Sequence, residues 1–135
     1  MIVTFDTNVL LYAADRRDLR KQGIAKQTLR SFPDAVLLWQ VAAEFIASSR
    51  KLAANGMTIV AAWELLTHYL ETFRLVLPTP PVLDHAQRLH AEQQWSFWDA
   101  MIVAACLDAG VTRLYSEDLP GRPPPPPLEI INPFA

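Results

Sequence analysis

The sequence predicts an α/β fold, a three-layer sandwich with a mainly parallel central β-sheet flanked by helices. Five short apolar runs of strand length alternate along the chain with longer segments of helical periodicity. This alternation is typical of parallel sheets, because the chain must cross back over the sheet before each new parallel strand. The sequence contains no internal repeat and no break in composition that would mark a boundary, so we expect a single domain over residues 1–135.

The first predicted strand ends on an acidic residue. Residues 2–5 favour β-structure, Asp6 follows them directly, and Thr7 and Asn8 are residues that cap helices well. A helix through residues 9–13 is predicted next. Because the carboxyl ends of the strands face the ligand crevice of an open α/β sheet, we expect Asp6 to point into that crevice.

The following elements are located by apolar spacing and by residues that end helices. Apolar residues between positions 24 and 32 predict a helix that ends at Pro33. The continuous apolar run 35–39 predicts a second buried strand. A helix follows from residue 41 and fades near Gly56.

The second half of the chain repeats the alternation. Thr58 is predicted to cap a helix whose apolar stripe, Trp63, Leu66 and Tyr69, fits the core or a dimer interface equally well. We expect a strand at residues 75–78, a helix opening at residue 80, and a helix from residue 96 that is apolar on nearly every side and therefore central. Residues 112–115 and 128–131 predict the last two strands.

Composition favours a globular cytoplasmic protein. Hydrophobic residues make up 51% of the chain, and no apolar run approaches the roughly 20 residues of a membrane span. The start of the chain lacks a secretory n-region, and the single Cys106 fits a reducing compartment. The formal net charge of −2 does not mark a nucleic-acid-binding protein, although a metal ion bound to carboxylates would offset it.

Four acidic residues carry the functional prediction. Taken alone, each has an ordinary explanation: a helix cap for Asp6, a capping box with Ser96 for Asp99, an exposed helix position for Glu44 and a solvated turn for Asp118. Taken together, they follow strand ends or interrupt apolar segments, where several carboxylates are unfavourable unless they are protonated or bind a cation.

An oxygen-only set of ligands suits Mg²⁺ or Mn²⁺ better than zinc. Such a site can hydrolyse a phosphodiester bond with a metal-activated water, and it requires no protein nucleophile. His68, His85 and His90 lack the spacing of a metal-binding pair, so we interpret them as structural or surface residues.

With these residues identified, the chain resembles the PIN-domain ribonucleases, and most closely the VapC-type toxins of bacterial toxin–antitoxin pairs. The resemblance covers nearly the whole chain. It lies in five segments that occur in order with family-like spacing: residues 5–10, 43–45, 96–105, 116–119 and 132–134.

The resemblance implies a parallel sheet with Asp6 on a central strand. It implies that Mg²⁺ or Mn²⁺ is held by four catalytic acids, Asp6, Glu44, Asp99 and Asp118, of which the second and fourth act partly through water. Thr7, Asn8 and Ser116 would form hydrogen bonds behind these ligands. The resemblance also implies cleavage of RNA, such as transfer or ribosomal RNA, silencing by a cognate VapB-type antitoxin, and a homodimer.

The segment after Asp118 departs from the family. Relatives tend to carry a flexible, glycine-containing stretch there, whereas this chain has residues 120–122 and then five prolines at 123–127. We interpret the prolines as a stiff surface loop, with a ligand for a proline-binding domain as the alternative. Local positive groups would have to contact RNA phosphates, and the candidates are Arg16, Arg17, Arg20, Lys21, Arg50 and Lys51.

Two other functions are compatible with parts of the sequence. The first is a catalytically silent PIN-like binding module that acts only in a protein complex. An unused cluster of like charges would destabilise such a module. The second is an aspartyl phosphotransferase or phosphatase with Asp6 as nucleophile, but that chemistry favours a second aspartate where this chain has Asn8.

Overall fold

The computed structural model describes residues 1–119, 121 and 123–135. The predicted alternation of strands and helices is confirmed, and the predicted mainly parallel α/β class with it. In chain order the elements are β1 (Val3–Phe5), α1 (Thr7–Ala13), α2 (Leu19–Ser31), β2 (Val36–Leu38), α3 (Trp39–Ser48), a 3₁₀ helix (Ser49–Asn55), α4 (Ile59–Thr72), β3 (Arg74–Val76), α5 (Pro80–Gln87), a π-helical turn (Arg88–Glu92), α6 (Phe97–Asp108), β4 (Arg113–Tyr115) and β5 (Glu129–Ile131).

All strand pairs of the described residues are parallel. Strand β4 lies between β1 and β5, and β2 pairs with β3. The two groups of strands meet where β1 lies beside β2, and there the buried Thr4 hydroxyl donates to the Val36 carbonyl at 2.7 Å. The hydrogen bond that joins the two groups of strands at this point therefore comes from a side chain, that of Thr4.

Several element boundaries differ from the sequence prediction by one or two residues. Trp39 begins α3 instead of ending the second strand, so its ring is about half exposed. The long helix predicted to run toward Gly56 is split into α3 and the 3₁₀ helix, and Gly56 ends it with a φ of 88°. Such a positive φ is favourable for glycine, because a β-carbon would be strained there. Thr58 caps α4 as predicted, accepting a hydrogen bond from the Ala61 amide at 3.0 Å.

The core lies between the sheet and its helices. Phe5 and Phe45 are fully enclosed, and the body of α6 is buried as its uniform apolarity predicts. The stripe on α4 is divided, because Leu66 and Tyr69 are buried whereas Trp63 is 54% exposed. The core interpretation is thus confirmed for two of its three residues.

The surface elements also bear on the sequence predictions. Asp15 is buried, and its carboxylate accepts hydrogen bonds from the Arg17 guanidinium at 2.9 and 3.0 Å. Residues 123–127 form a partly exposed segment without helix or strand before β5, as expected of a surface loop. Residues 120–122, which precede the prolines, also depart from the family pattern, and two of them, Pro120 and Arg122, lie outside the described residues. None of the described helices is long and apolar enough to cross a membrane.

Candidate functional site

Asp6 lies directly after β1, at the carboxyl end of the strand, and serves as the N-cap of α1. One carboxylate oxygen accepts from the Thr7 amide at 2.8 Å. The other accepts hydrogen bonds from the Ser116 hydroxyl at 2.7 Å and from the side-chain amide of Asn8 at 3.4 Å. Asp6 thus caps a helix as the ordinary explanation proposed, while its second oxygen joins a polar group that spans the edge of the sheet.

Asp6 also has a perturbed protonation equilibrium. Burial raises the pKa of its carboxyl group above the usual 3.8, and the nearby charges of Glu44 and Asp118 raise it further. The hydrogen bonds from Ser116 and Thr7 oppose this effect without cancelling it. The pKa therefore reports an environment in which an added negative charge is unfavourable and a cation would be stabilised.

Glu44 lies on α3 with its side chain half-buried, and two residues orient its carboxylate. The Thr7 hydroxyl donates to one oxygen at 2.9 Å, and the Gln40 amide donates to the other at 2.8 Å. Gln40 precedes Glu44 by one helical turn, so both side chains lie on the same face of α3. The Gln40 amide also reaches the carbonyl of Trp98 at 3.4 Å, at the start of α6.

Asp99 is half-buried in the first turn of α6. The capping box proposed as its ordinary explanation does not form: Ser96 is the N-cap, but within the described residues its side chain makes no capping hydrogen bond. The residue before Asp99, Trp98, is 62% exposed. Because no capping box forms, the carboxylate of Asp99 is not required to stabilise the start of α6.

Asp118 follows β4 and completes the set of acids. Its carboxylate accepts from the Asn8 amide at 3.3 Å, and its backbone amide donates to the Ser116 hydroxyl at 3.3 Å. Asp118 is exposed, so the expectation that all four carboxylates are buried together is correct only for part of the set. Asp6, Glu44 and Asp99 are half-buried, and Asp118 is exposed.

The four acids line one cleft with a volume of about 210 Å³. They come from four separate segments of the chain and share the cleft with Asn8, Leu11, Gln40, Trp98 and Ile102. Within the described residues, no three His, Cys, Asp or Glu side chains are already placed as a metal-binding group. Mg²⁺ keeps several water molecules and is commonly bound through one or two carboxylates, so the carboxylate oxygens of this cleft fit such an ion without a preformed cage.

The predicted hydrogen-bonding residues all contact the acids. Thr7 contacts Asp6 and Glu44, Asn8 contacts Asp6 and Asp118, and Ser116 contacts Asp6. Sequence reasoning missed Gln40, although its spacing of four residues before Glu44 is a signal that could have identified it.

The proposed RNA-contact residues differ in their surroundings. Arg17 is paired with Asp15, Arg20 donates to the Phe134 carbonyl at 2.8 Å, and Lys21 is bound to Glu117 at 2.6 Å. Arg16, Arg50 and Lys51 are exposed, with no hydrogen-bond partner among the described residues.

The histidines lie away from the cleft. His85 contacts Arg88 at 2.9 Å, His90 contacts the Trp95 carbonyl at 2.9 Å, and His68 is exposed on α4. None of the three lines the acidic cleft within the described chain. Their surroundings agree with the interpretation of structural or surface residues.

Two larger apolar grooves flank the exposed face of α3, with volumes of about 530 and 510 Å³. Trp39, Ala43 and Ala47 line both of them. The first groove continues to the acidic cleft, because Glu44 and Trp98 line the two cavities together. Of the four acids, only Glu44 lines either groove, whereas all four line the smaller acidic cleft, which is therefore the candidate site.

Comparison with known proteins agrees with the fold. The family model described as PIN domain matches residues 3–119. The fold is similar to a chain of a toxin–antitoxin complex from Klebsiella pneumoniae, with 20% identity, a TM-score of 0.68 and coverage of 98% of both chains. It is also similar to VapC20 of Mycobacterium tuberculosis, described as a toxin that cleaves the sarcin–ricin loop, with 23% identity, a TM-score of 0.65 and coverage of 87% of this chain and 90% of that one. No curated protein matches this chain in sequence.

Proposed function

Because this chain belongs to the PIN domain family, we propose that it is a metal-dependent endoribonuclease and the toxin component of a type II toxin–antitoxin pair. The observation that carries the proposal is the meeting of Asp6, Glu44, Asp99 and Asp118 at one cleft. Four segments that are distant in sequence bring carboxylate oxygens to the carboxyl edge of the sheet, where open α/β folds bind their ligands.

In this proposal Asp6 and Asp99 contact Mg²⁺ or Mn²⁺ directly, and Glu44 and Asp118 act partly through water. A bound ion would lower the pKa of a water molecule, orient the scissile phosphate and neutralise developing charge. The chain supplies the orientation of the carboxylates: Ser116 fixes Asp6, and Thr7 and Gln40 together fix Glu44.

The proposed partners follow from the family and from the neighbouring structures. The substrate is an RNA, with transfer and ribosomal RNA as the first candidates, since VapC20 is described as cleaving the sarcin–ricin loop. A cognate VapB-type antitoxin would silence the enzyme in the cytoplasm, as the likeness to a chain of a toxin–antitoxin complex suggests.

The test is cleavage of total RNA by antitoxin-free protein with Mg²⁺, with Mn²⁺ and with a chelator. The matched control is Asp99→Asn, which keeps the size of the side chain and excludes contaminating nuclease. We expect discrete fragments that require metal and disappear in the variant. Cleavage by the variant at the wild-type rate would refute the assigned site.

A folded protein that cuts no RNA under any condition would contradict the enzymatic proposal. A metal titration would then favour a narrow substrate if Mn²⁺ binds and a silent binding module if it does not. Phosphate labelling of Asp6 would instead identify the phosphotransferase.

We also propose a homodimer formed through the apolar face of α3. Trp39, Ala43 and Ala47 form the centre of this face, and the half-exposed Trp63 and Trp98 lie on either side. Apart from Glu44 and Asp108 in the first groove, the residues that line the two grooves are uncharged, so two copies related by a two-fold axis can bring the centre of this face together without charge repulsion. A contiguous apolar surface of this kind marks an interaction site on a globular protein.

The dimer is tested by measuring molecular mass at several protein concentrations for Trp63→Glu. Leu19→Glu is the control, because Leu19 is an even more exposed apolar residue, on α2, that lines neither groove. We expect the first variant to be monomeric and the second to keep the mass of the wild type. A monomeric wild-type protein would refute the dimer, and an antitoxin bound by wild type but not by Trp63→Glu would assign the face to that partner.

A further inference from the structure

The segment 116–118 directs its side chains to two opposite sides. Ser116 and Asp118 face the acidic cleft, where they contact Asp6 and Asn8. Glu117, between them, turns its carboxylate away from the cleft. The backbone bends at residues 117–119 after β4, so neighbouring side chains point in different directions, and Glu117 gives this segment an attachment point that is separate from the candidate site.

Glu117 is held on that other side by two helices. The Tyr12 hydroxyl of α1 donates to one carboxylate oxygen at 2.8 Å, and the Lys21 ammonium of α2 donates to the other at 2.6 Å. Lys21 also reaches the Tyr12 hydroxyl at 3.2 Å, so the three groups close a ring of contacts. The Lys21 and Glu117 side chains are only 25% and 21% exposed, which weakens screening by solvent.

Aromatic residues support the same group. The Lys21 ammonium lies 4.6 Å from the centre of the Tyr12 ring and 5.7 Å from that of Phe134. The two rings pack edge to face with centroids 4.9 Å apart. The hydrogen bond with Glu117 raises the pKa of Lys21, so the ammonium stays charged.

We propose that Tyr12, Lys21 and Glu117 form a clamp that positions Asp118 for metal binding. Asp118 is exposed, and its contacts with Asn8 and Ser116 are both 3.3 Å long, at the weak end of hydrogen bonding. The position of its carboxylate therefore depends on the backbone of segment 116–118. The Ser116 amide donates to the Ile131 carbonyl at 2.9 Å, the Glu117 amide donates to the Asn8 side chain at 3.3 Å, and the clamp holds the segment through the Glu117 side chain. The proposal rests on the proposed function, because it assumes that Asp118 contributes to the metal site.

The clamp assigns Lys21 a role different from the RNA contact suggested by its charge. Its ammonium is already bound to a carboxylate and lies over two rings, so contact with a phosphate would require breaking an ion pair. Tyr12 separates the two roles experimentally. Its hydroxyl belongs to the clamp but carries no charge for a phosphate.

The test is the affinity for Mn²⁺ in the absence of RNA, measured from the magnetic resonance signal of the free ion. The variants are Lys21→Met, which keeps an apolar stem over the rings, and Tyr12→Phe, which removes only the hydroxyl. Loss of a residue that supports a metal ligand typically weakens binding about tenfold, and we expect a loss of that order in both variants. Arg113→Met is the control, because it breaks another surface ion pair, with Glu129 at 2.7 Å.

Turnover separates positioning from RNA binding. We expect the two clamp variants to require more Mn²⁺ for half-maximal cleavage and to regain most of the wild-type kcat at high Mn²⁺, with the KM for RNA unchanged. Unchanged Mn²⁺ affinity in both variants would overturn the clamp, and so would a loss of equal size in Arg113→Met. A raised KM for RNA in Lys21→Met alone, with normal Mn²⁺ affinity, would make Lys21 a phosphate contact instead.

Failure of the clamp is distinguishable from failure of the proposed function. If wild-type protein neither binds Mn²⁺ nor cuts RNA, both proposals are wrong. If wild type does both and the clamp variants match it, only the clamp is wrong. Circular dichroism and thermal melting of each variant show that folded proteins are compared, and Tyr12→Phe decides the matter if Lys21→Met does not fold.

Discussion

The hydroxyl of Thr7 donates a hydrogen bond to Glu44 at 2.9 Å and joins the first turn of α1 to the exposed edge of α3. The backbone amide of Thr7 also donates a hydrogen bond to the carboxylate of Asp6. One residue therefore orients two of the four acids, with its side chain and its backbone acting on different carboxylates. The threonine after the first acid is placed to fix the spacing between strand β1 and helix α3 at the cleft.

The first prediction is that Thr7→Val weakens metal binding with little change in stability. Valine preserves the shape and the backbone amide of Thr7 but leaves one Glu44 oxygen to water. We expect the Mn²⁺ affinity to fall about tenfold. Thr28→Val is the control, since its hydroxyl binds only the Ile24 carbonyl within α2 at 2.8 Å. Equal affinities for the two variants would show that Thr7 does not orient Glu44.

The second prediction concerns Asp6→Asn. We expect it to abolish RNA cleavage and to raise the melting temperature of metal-free protein by a few degrees near neutral pH. The physical reason is that the variant removes a charge from a site where burial and the neighbouring acids Glu44 and Asp118 disfavour it. Asparagine is also a good N-cap and can still accept from the Thr7 amide. A variant that is less stable than wild type at every pH would contradict this view of the site.

The pH dependence of the same variant has a definite sign. Because the pKa of Asp6 is raised in the folded state, the folded protein binds a proton at Asp6 more tightly than the unfolded chain does. The associated stability is fully present below the ordinary pKa near 3.8 and is lost as the pH rises through the raised pKa. The stability of wild type relative to Asp6→Asn should therefore fall across this interval and then level off. Added Mg²⁺ should restore it in wild type only.

The contribution of sequence to these conclusions depends on the range over which each interaction acts. Strand and helix positions follow from local apolar spacing and from caps such as Thr58, which act within a few residues, and these predictions are confirmed. The edge at which Asp6 emerges follows from its position directly after β1, because the carboxyl ends of parallel strands share one edge of the sheet. The presence of the four acids in one cleft was therefore predictable from their positions relative to the strands and helices.

The interactions that orient those acids were harder to predict from the sequence. Glu117 contacts Tyr12 and Lys21, which are about a hundred residues away in sequence, and nothing local to any of the three marks the pairing. The sequence likewise shows which residues are charged but not which residues they pair with. Lys21 and Arg50 look equivalent in it, whereas the structure binds the first into an ion pair and leaves the second exposed.

The third prediction separates the basic residues by this difference. If Arg50 and Lys51 contact RNA phosphates, as the sequence predicts, substituting both with alanine should raise the KM for RNA roughly tenfold and leave kcat nearly unchanged, because two exposed cations are lost. The dependence of log KM on log salt should become shallower by up to about two. The double substitution of Lys26 and Arg30 on α2 removes the same charge elsewhere and serves as the control. A similar effect in both would indicate a general electrostatic effect without a defined contact surface.

The last prediction tests the contact between the two groups of strands. Thr4→Val keeps the shape of a fully buried side chain but removes the donor to the Val36 carbonyl, and an unsatisfied buried group costs about 1 to 3 kcal/mol. We expect the free energy of unfolding in urea to fall by about that amount. Thr112→Val is the matched control, because its hydroxyl is 3.4 Å from the Ile2 carbonyl and is only half-buried, so its loss should be a few tenths of a kcal/mol. Equal losses would mean that packing between β1 and β2, and not this hydrogen bond, holds the two groups of strands together.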